Sequence, residues 1–422
     1  MKSIWMVFLF LGFVCSLSGQ DLVSENPSAL GFSPERLSRI DQMVTRYVEE
    51  KKISGAVFIL VRDGKVAYHK AFGYRSVEKK DKLQRDDIFR IASQSKAITS
   101  LAVMMLFEEG KFLLDEPVSL YIPEFKSPQV LKDFNPKDSS YTTVPAKGEI
   151  TIRHLLTHTS GIDYAAIGSP EFKAIYAKAG IPSGIGIFSE NVVLGEKMRA
   201  LGKLPLRHNP GEKFTYGLNS DVLGYLVEIW SGMPFDEFLQ KRIFEPLGMK
   251  DTYFYLPKRK QNRLVSLYEN TDNGIKKVDH PIYDGSNLLY PNLEKGKYFS
   301  GGAGLSSTVE DYAKFLQVFL NGGMYNGVRL LSRKTVTLML TDQLKESMGS
   351  PFGLGFGLET SGNDHQSIVS LGSFSWGGAF NTHYWADPQE KLIGMIFTQL
   401  YNTRYWSIGS YFQNLSYQAL GD

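Results

Sequence analysis

Strand-forming sequence stands at both ends of this 422-residue chain, and a long helical pattern separates the two. β-rich runs at 55–61 and 66–74 are joined by Arg62, Asp63, Gly64 and Lys65, and Asp-Gly in such a gap is a strong hairpin signal. Far along the chain, runs at 380–386 and 391–398 flank a turn at Asp387 and Pro388. Both ends are therefore expected to share one antiparallel sheet, with the middle as an insertion. The segment 117–299 alternates loops bearing Gly and Pro with helical patterns at 151–157, 221–230 and 234–243. The expected fold class is α/β (α+β): an antiparallel sheet flanked by helices plus a mostly helical subdomain, with the active site between them. The sheet subdomain takes about 30–90 and 300–422, and the helical one about 91–299.

Three helices are expected to cover the sheet. Ser33, Pro34 and Glu35 precede an apolar rhythm at Leu37, Ile40, Met43, Val44 and Val48, which predicts a capped amphipathic helix. Ile98, Leu101, Ala102, Met105 and Leu106 recur at helical spacing within 92–109, and Gly110 supplies the stop. The third is an amphipathic stretch at 411–420. No repeat and no low-complexity linker breaks the chain.

Charge and the first residues bound the setting. The net charge is only +3, with Lys and Arg scattered among acids, so no footprint for nucleic acid exists. Lys2 precedes an apolar run at 4–14 that gives way to Ser16, Ser18 and Gly19, which reads as an export signal over 1–19. The run is short of the ~20 apolar residues that span a bilayer, so no stable membrane span is expected. The expected location is the periplasm or the exterior. Val14 stands where lipoprotein signals usually carry a small residue, which disfavours lipid attachment at Cys15. Cys15 is the sole cysteine, so the processed chain has no thiol for a nucleophile, a disulfide or a zinc site. Neither metal nor cofactor is expected.

Ser93, Gln94, Ser95 and Lys96 open the apolar helix, a spacing that puts Ser93 and Lys96 on one face about a turn apart. A serine needs a group to take its proton, and a lysine can do so only if burial brings its pKa down from the usual ~10.4. A helix N-terminus also offers backbone N–H groups where an oxyanion must form. Ser-x-x-Lys alone arises by chance, with the serine as a cap and the lysine solvated, and gains meaning only from partner motifs.

Those partners are present: "HLLTHTSGI" from His154, "PGEKFTYGLNSDVLGYLVE" from Pro210, "EPLGM" from Glu245, "SGGAGLSST" from Ser300 and "WGGAFNTHYWADP" from Trp376. With these, the chain from about Leu30 onward resembles the serine β-lactamase-like family of class C β-lactamases, D-Ala-D-Ala carboxypeptidases and related carboxylesterases. The resemblance implies a β-lactamase/transpeptidase-like fold and an acyl-enzyme on Ser93. It makes Lys96 a proton acceptor or electrostatic support and Tyr216 the phenol that shuttles the proton. It also implies an oxyanion hole from the backbone N–H groups of Ser93 and Ala379, beside substrate-binding Trp376, Gly377 and Gly378.

Two departures bear on substrate. The family's Tyr-x-Asn is here Tyr216, Gly217, Leu218, with Asn219 one place late, so Asn219 reaches substrate only through an altered loop. Trp376 stands in the place of the lysine that helps hold the carboxylate of β-lactams and D-alanyl peptides. An apolar surface there favours neutral or hydrophobic acyl esters, unless Arg90, Arg153 or His383 restores the charge. A carboxylesterase is thus expected, against a D-Ala-D-Ala carboxypeptidase or β-lactamase on one side and an inactive peptidoglycan- or partner-binding relative on the other. No Gly-x-Ser-x-Gly occurs for an α/β-hydrolase, and Leu155 between His154 and His158 stands where a zincin has Glu, which leaves that histidine pair structural.

Overall fold

The computed structural model describes residues 22–185, 191–283, 286–287, 289–292 and 296–421. The expected export signal at 1–19, with Cys15, lies outside the described residues. Asp63 and Gly64 close the first hairpin with φ of 50° and 73°, a conformation that Asp tolerates and Gly takes freely. They join β1 (Gly55–Arg62) to β2 (Lys65–Ser76), and a short β3 (Asp81–Lys82) follows. From the far end come β4 (Gly357–Leu358), β5 (Phe374–Gly378), β6 (Thr382–Asp387) and β7 (Leu392–Phe397). The seven strands run in the order β4-β5-β6-β7-β1-β2-β3, every pair antiparallel. β1 pairs with β7 from Val57 opposite Phe397 to Arg62 opposite Leu392, so both ends of the chain do share one sheet.

β1 reads as an unbroken apolar run because both of its faces are covered. Ala56, Phe58 and Leu60 belong to the cluster with α1 (Pro34–Glu49) and a C-terminal helix, Ile408–Tyr417. Val57, Ile59 and Val61 belong to the larger core that holds α2 (Ser95–Glu108). The Ser33 hydroxyl accepts from Arg36 N at 3.3 Å, and Leu37, Ile40, Met43 and Val44 are buried, as the α1 pattern requires.

The structure departs from the expected elements in three places. The strand expected at 380–386 is part of a hairpin: β5 ends at Gly378, Asn381 turns the chain with φ of 62°, and β6 begins at Thr382. The middle holds β-hairpins as well as helices, one pairing Gln129–Asn135 with Ser140–Pro145 and one pairing Tyr268–Thr271 with Gly274–Lys277. The first lies open to solvent, so no buried face imprinted an apolar alternation on it. Finally, α2 begins at Ser95, and Ala92–Gln94 form a separate tight turn before it. No helix among the described residues is long and apolar enough to cross a membrane.

Candidate active site

Ser93 stands in that turn, at the mouth of a helix whose first three turns are buried. Ala92 before it is forced to a φ of 42°, a left-handed conformation that costs a non-glycine residue about 1 kcal/mol or more. Neighbouring chain holds the turn in place: Ile91 N donates to Leu305 O at 3.0 Å, Leu305 N to Ser95 Oγ at 3.0 Å, and Tyr312 Oη to Gln94 O at 2.8 Å. Lys96 Nζ lies 3.4 Å from Ser93 Oγ and donates to Gly302 O at 2.7 Å. The same ammonium sits over the Tyr216 ring, 4.5 Å from its centroid.

Tyr216 is delivered by two interlocked stretches. Thr215 N donates to His158 O at 2.7 Å and Leu218 N to Asp163 O at 3.2 Å, stitching "FTYGLN" onto "HTSGI". A side chain at Gly217 would meet Ile162 O at 2.0 Å, so only glycine lets the two backbones lie this close. α3 (Asn219–Ser231) starts directly after this crossing.

β5 brings the third group. A Cβ on Gly378 would stand 2.4 Å from Ile91 O, so the strand passes against the backbone that leads into Ser93. Among the described residues, neither the Ser93 nor the Ala379 backbone N–H has a protein acceptor, leaving both free for an oxyanion. The Trp376 indole N–H reaches Tyr216 Oη at 3.4 Å, and Phe352 packs edge-on to the Trp376 ring at 5.2 Å. Serine, lysine, phenol and an aromatic wall thus converge on one cleft, an arrangement capable of acyl transfer through a serine ester.

The sequence profile of the family described as Beta-lactamase matches residues 40–413. The chain belongs to the Beta-lactamase family. The esterase EstB of Burkholderia gladioli is 29% identical to it, over 90% of this chain and 94% of that protein. The monacolin J acid methylbutanoyltransferase of Aspergillus terreus is 30% identical, over 84% of this chain and 88% of that protein. Among solved structures, EstCE1, described as a hydrolase with promiscuous acyltransferase activity, matches with a TM-score of 0.78 at 26% identity and covers 91% of this chain and 99% of that one. This Beta-lactamase family member is a serine hydrolase of the β-lactamase fold, as the resemblance implied.

Several expected site residues lie elsewhere in this Beta-lactamase family protein. Asn219, read as a substrate contact, is fully buried and faces inward, accepting from Ser160 Oγ at 2.5 Å and meeting His158 Nδ1 at 3.0 Å. The extra residue in the loop gives its amide to the "HTSG" turn, where it fastens the Tyr216 segment. His154, expected to be structural, is placed in a helix cap, where its Nδ1 accepts from Thr151 N at 3.2 Å. Among the three candidate cations, Arg90 is buried on the carbonyls of Tyr290 and Val265, both at 3.0 Å, and Arg153 is held by Asp115 at 2.7 Å. His383 contacts Asn381 Oδ1 at 2.8 Å. The sequence reading missed Phe352, which makes the wall, and Asp221 and Gly302, which stand beside Lys96. The last two lie inside quoted motifs, so the signal was present without a chemical reason attached.

Burial pushes the His383 imidazole down to about 4 from the ordinary 6.5. The folded protein therefore keeps it neutral in a range where the unfolded chain takes up a proton. Its contribution to stability is whole above pH 6.5 and is lost as the pH falls toward 4. By pH 5 the loss is about 2 kcal/mol. Thermal melts at pH 7 and pH 5 are expected to show a smaller acid drop for His383→Gln than for wild type. An equal drop in both would show that His383 does not titrate this way.

Proposed function

We propose that the chain is a carboxylesterase for small or hydrophobic acyl esters, working through an acyl-enzyme on Ser93. The observation that carries this reading is the Trp376 wall. Its indole N–H is turned onto Tyr216 Oη, and its ring is backed by Phe352, where anion-recognising relatives would present a fixed charge. None of the three cations that were candidates to replace that charge supplies it: Arg90 and Arg153 are engaged elsewhere, and His383 is neutral. A carboxylate substrate would lose its hydration without a compensating partner, whereas an acyl chain gains about 25 cal/mol for each Å² it buries.

In the proposed reaction Ser93 Oγ bonds to the ester carbonyl carbon as its proton passes to the Lys96–Tyr216 pair. The carbonyl oxygen takes the negative charge between the N–H groups of Ser93 and Ala379. Collapse breaks the ester C–O bond, and the departing alcohol receives the proton. Water then repeats the sequence in reverse and frees the acid. The apolar run at 4–14 supports the further proposal that this takes place outside the cytoplasm.

The test compares purified wild type on short-chain p-nitrophenyl esters, a chromogenic cephalosporin and a D-Ala-D-Ala peptide. Ester kcat/KM is expected to exceed that for either anionic substrate by about 10²-fold or more. Efficient peptide or lactam cleavage would favour the carboxypeptidase or β-lactamase reading. Trp376→Lys is expected to lower ester kcat/KM about tenfold and to raise cephalosporin turnover. No gain on the anion would remove Trp376 from the selectivity argument.

A further inference from the structure

Behind the cleft lies a buried polar cluster that the mechanism above leaves unused. Asp221 on α3 is fully buried, and among the described residues neither of its carboxylate oxygens has a hydrogen bond of ordinary geometry, although the Ser300 and Tyr298 hydroxyls lie close enough to favour its charged form. Tyr164 and Tyr298 beside it are also buried, and their hydroxyls likewise lack a hydrogen bond of ordinary geometry. A methyl group on Gly302 would lie 2.7 Å from Asp221 Oδ2, 3.3 Å from Tyr164 Oη and 3.5 Å from Lys96 Nζ. Three polar groups therefore converge on one point that only a glycine leaves open. Lys96 enters from α2, Tyr164 from the "HTSGI" side, and Tyr298 and Ser300 from the strand-side loop. Ser300 Oγ is committed to Gly184 O at 3.1 Å.

A bare buried carboxylate is expensive unless it faces a charge. Burial raises Asp221 to about 6, and the nearby Ser300 and Lys96 act in the opposite sense. Lys96 is the cation at this convergence. His158, on the other side of that lysine, is buried and kept neutral by desolvation and by the Lys96 charge.

We propose that Asp221 is a positioning residue whose buried carboxylate holds Lys96 as an ammonium, so that the Tyr216 phenolate takes the proton from Ser93. The O–H bond of Ser93 breaks as Oγ bonds to the carbonyl carbon, and the proton moves to Tyr216 Oη. From there it goes to the departing alkoxide, while Lys96 keeps its three protons throughout. Asp221 touches no substrate and acts through Lys96. The inference rests on the reading of Ser93, Lys96 and Tyr216 given above, and its sign is diagnostic. If a neutral Lys96 were the base, removing the carboxylate would make the base more available and raise the rate at neutral pH.

The full chain, Asp221→Asn, Lys96→Ala and the double variant are compared for p-nitrophenyl butyrate turnover across pH and for the rate of Ser93 labelling by a fluorophosphonate. At pH 7.5, Asp221→Asn is expected to lower kcat about 10- to 100-fold with KM within about twofold, because the loss falls on the transition state. In the Lys96→Ala background the same substitution changes labelling by less than about twofold. An unchanged or higher kcat, or losses that simply multiply, would overturn the proposal. Should Asp221→Asn fail to fold, Lys96→Arg decides, because a fixed cation is expected to label at least about tenfold faster than Lys96→Ala. Equal loss in both would count against the ammonium. Wild type that does not label at Ser93 would overturn the nucleophile and this proposal with it, whereas labelled wild type beside an Asp221→Asn variant of unchanged kcat would overturn this proposal alone.

Discussion

Ser93→Ala is expected to lower ester turnover by at least about 10⁴-fold while leaving the fold intact. The expectation follows from what the site would retain. Alanine keeps the turn at Ala92–Gln94, the Lys96 contact with Gly302 O and the unoccupied N–H groups of the turn and of Ala379. Binding and charge stabilisation would survive, but no acyl-enzyme could form, and water would have to attack from a position the turn does not prepare. Removing the hydroxyl frees no buried carbonyl and opens only a small void, so the melting temperature should move by no more than a few degrees. Paired kinetics and thermal melts check both halves. Turnover within tenfold of wild type would remove Ser93 as nucleophile, and with it the carboxylesterase reading built on it.

Gly378→Ala should cost about 10²- to 10³-fold in kcat without touching a reactive atom. The added Cβ would lie 2.3 Å from Thr382 Oγ1 and 2.4 Å from Ile91 O. The threonine can rotate away, whereas Ile91 O belongs to the backbone leading into Ser93 and cannot. The strand must therefore retreat from the turn, carrying Ala379 N–H off the line of the developing oxyanion. Losing one such donor is worth a factor of that size. Gly148→Ala is the control, since nothing stands within 4 Å of the added carbon. The comparison is read in kcat and in the rate of fluorophosphonate labelling, and equal values for the two variants would place the oxyanion donors elsewhere.

What the sequence disclosed tracks how strongly each feature is forced by its surroundings. β1 and α1 were legible because apolar burial fixes their residue types along the whole element. The five motif stretches were legible because they are the places where backbones meet: "FTYGLN" against "HTSGI", and Gly378 against Ile91. The hairpin at Gln129–Asn135 was missed because none of its residues is fully buried, so no strict apolar alternation marks it. The direction of the Asn219 amide was not legible, because one residue of loop length decides which way it turns. Asp221 was passed over because an acid in the first turn of a helix is ordinary on any surface. Only the packing of three distant segments makes that carboxylate buried and consequential.

The pairing of β1 with β7 has a consequence in time. Residues 57 and 397 are direct neighbours, so the middle of the sheet stays incomplete until synthesis has passed residue 397. Contacts of such separation form slowly, after the long loop between them has been closed. Ser93 and Lys96 emerge from the ribosome early, whereas β5 with Trp376, and Ala379 just beyond its end, follow far later. On the proposed mechanism, a nascent chain therefore holds Ser93 and Lys96 without the Trp376 wall or the Ala379 N–H, and the chemistry is armed only when β5 to β7 dock.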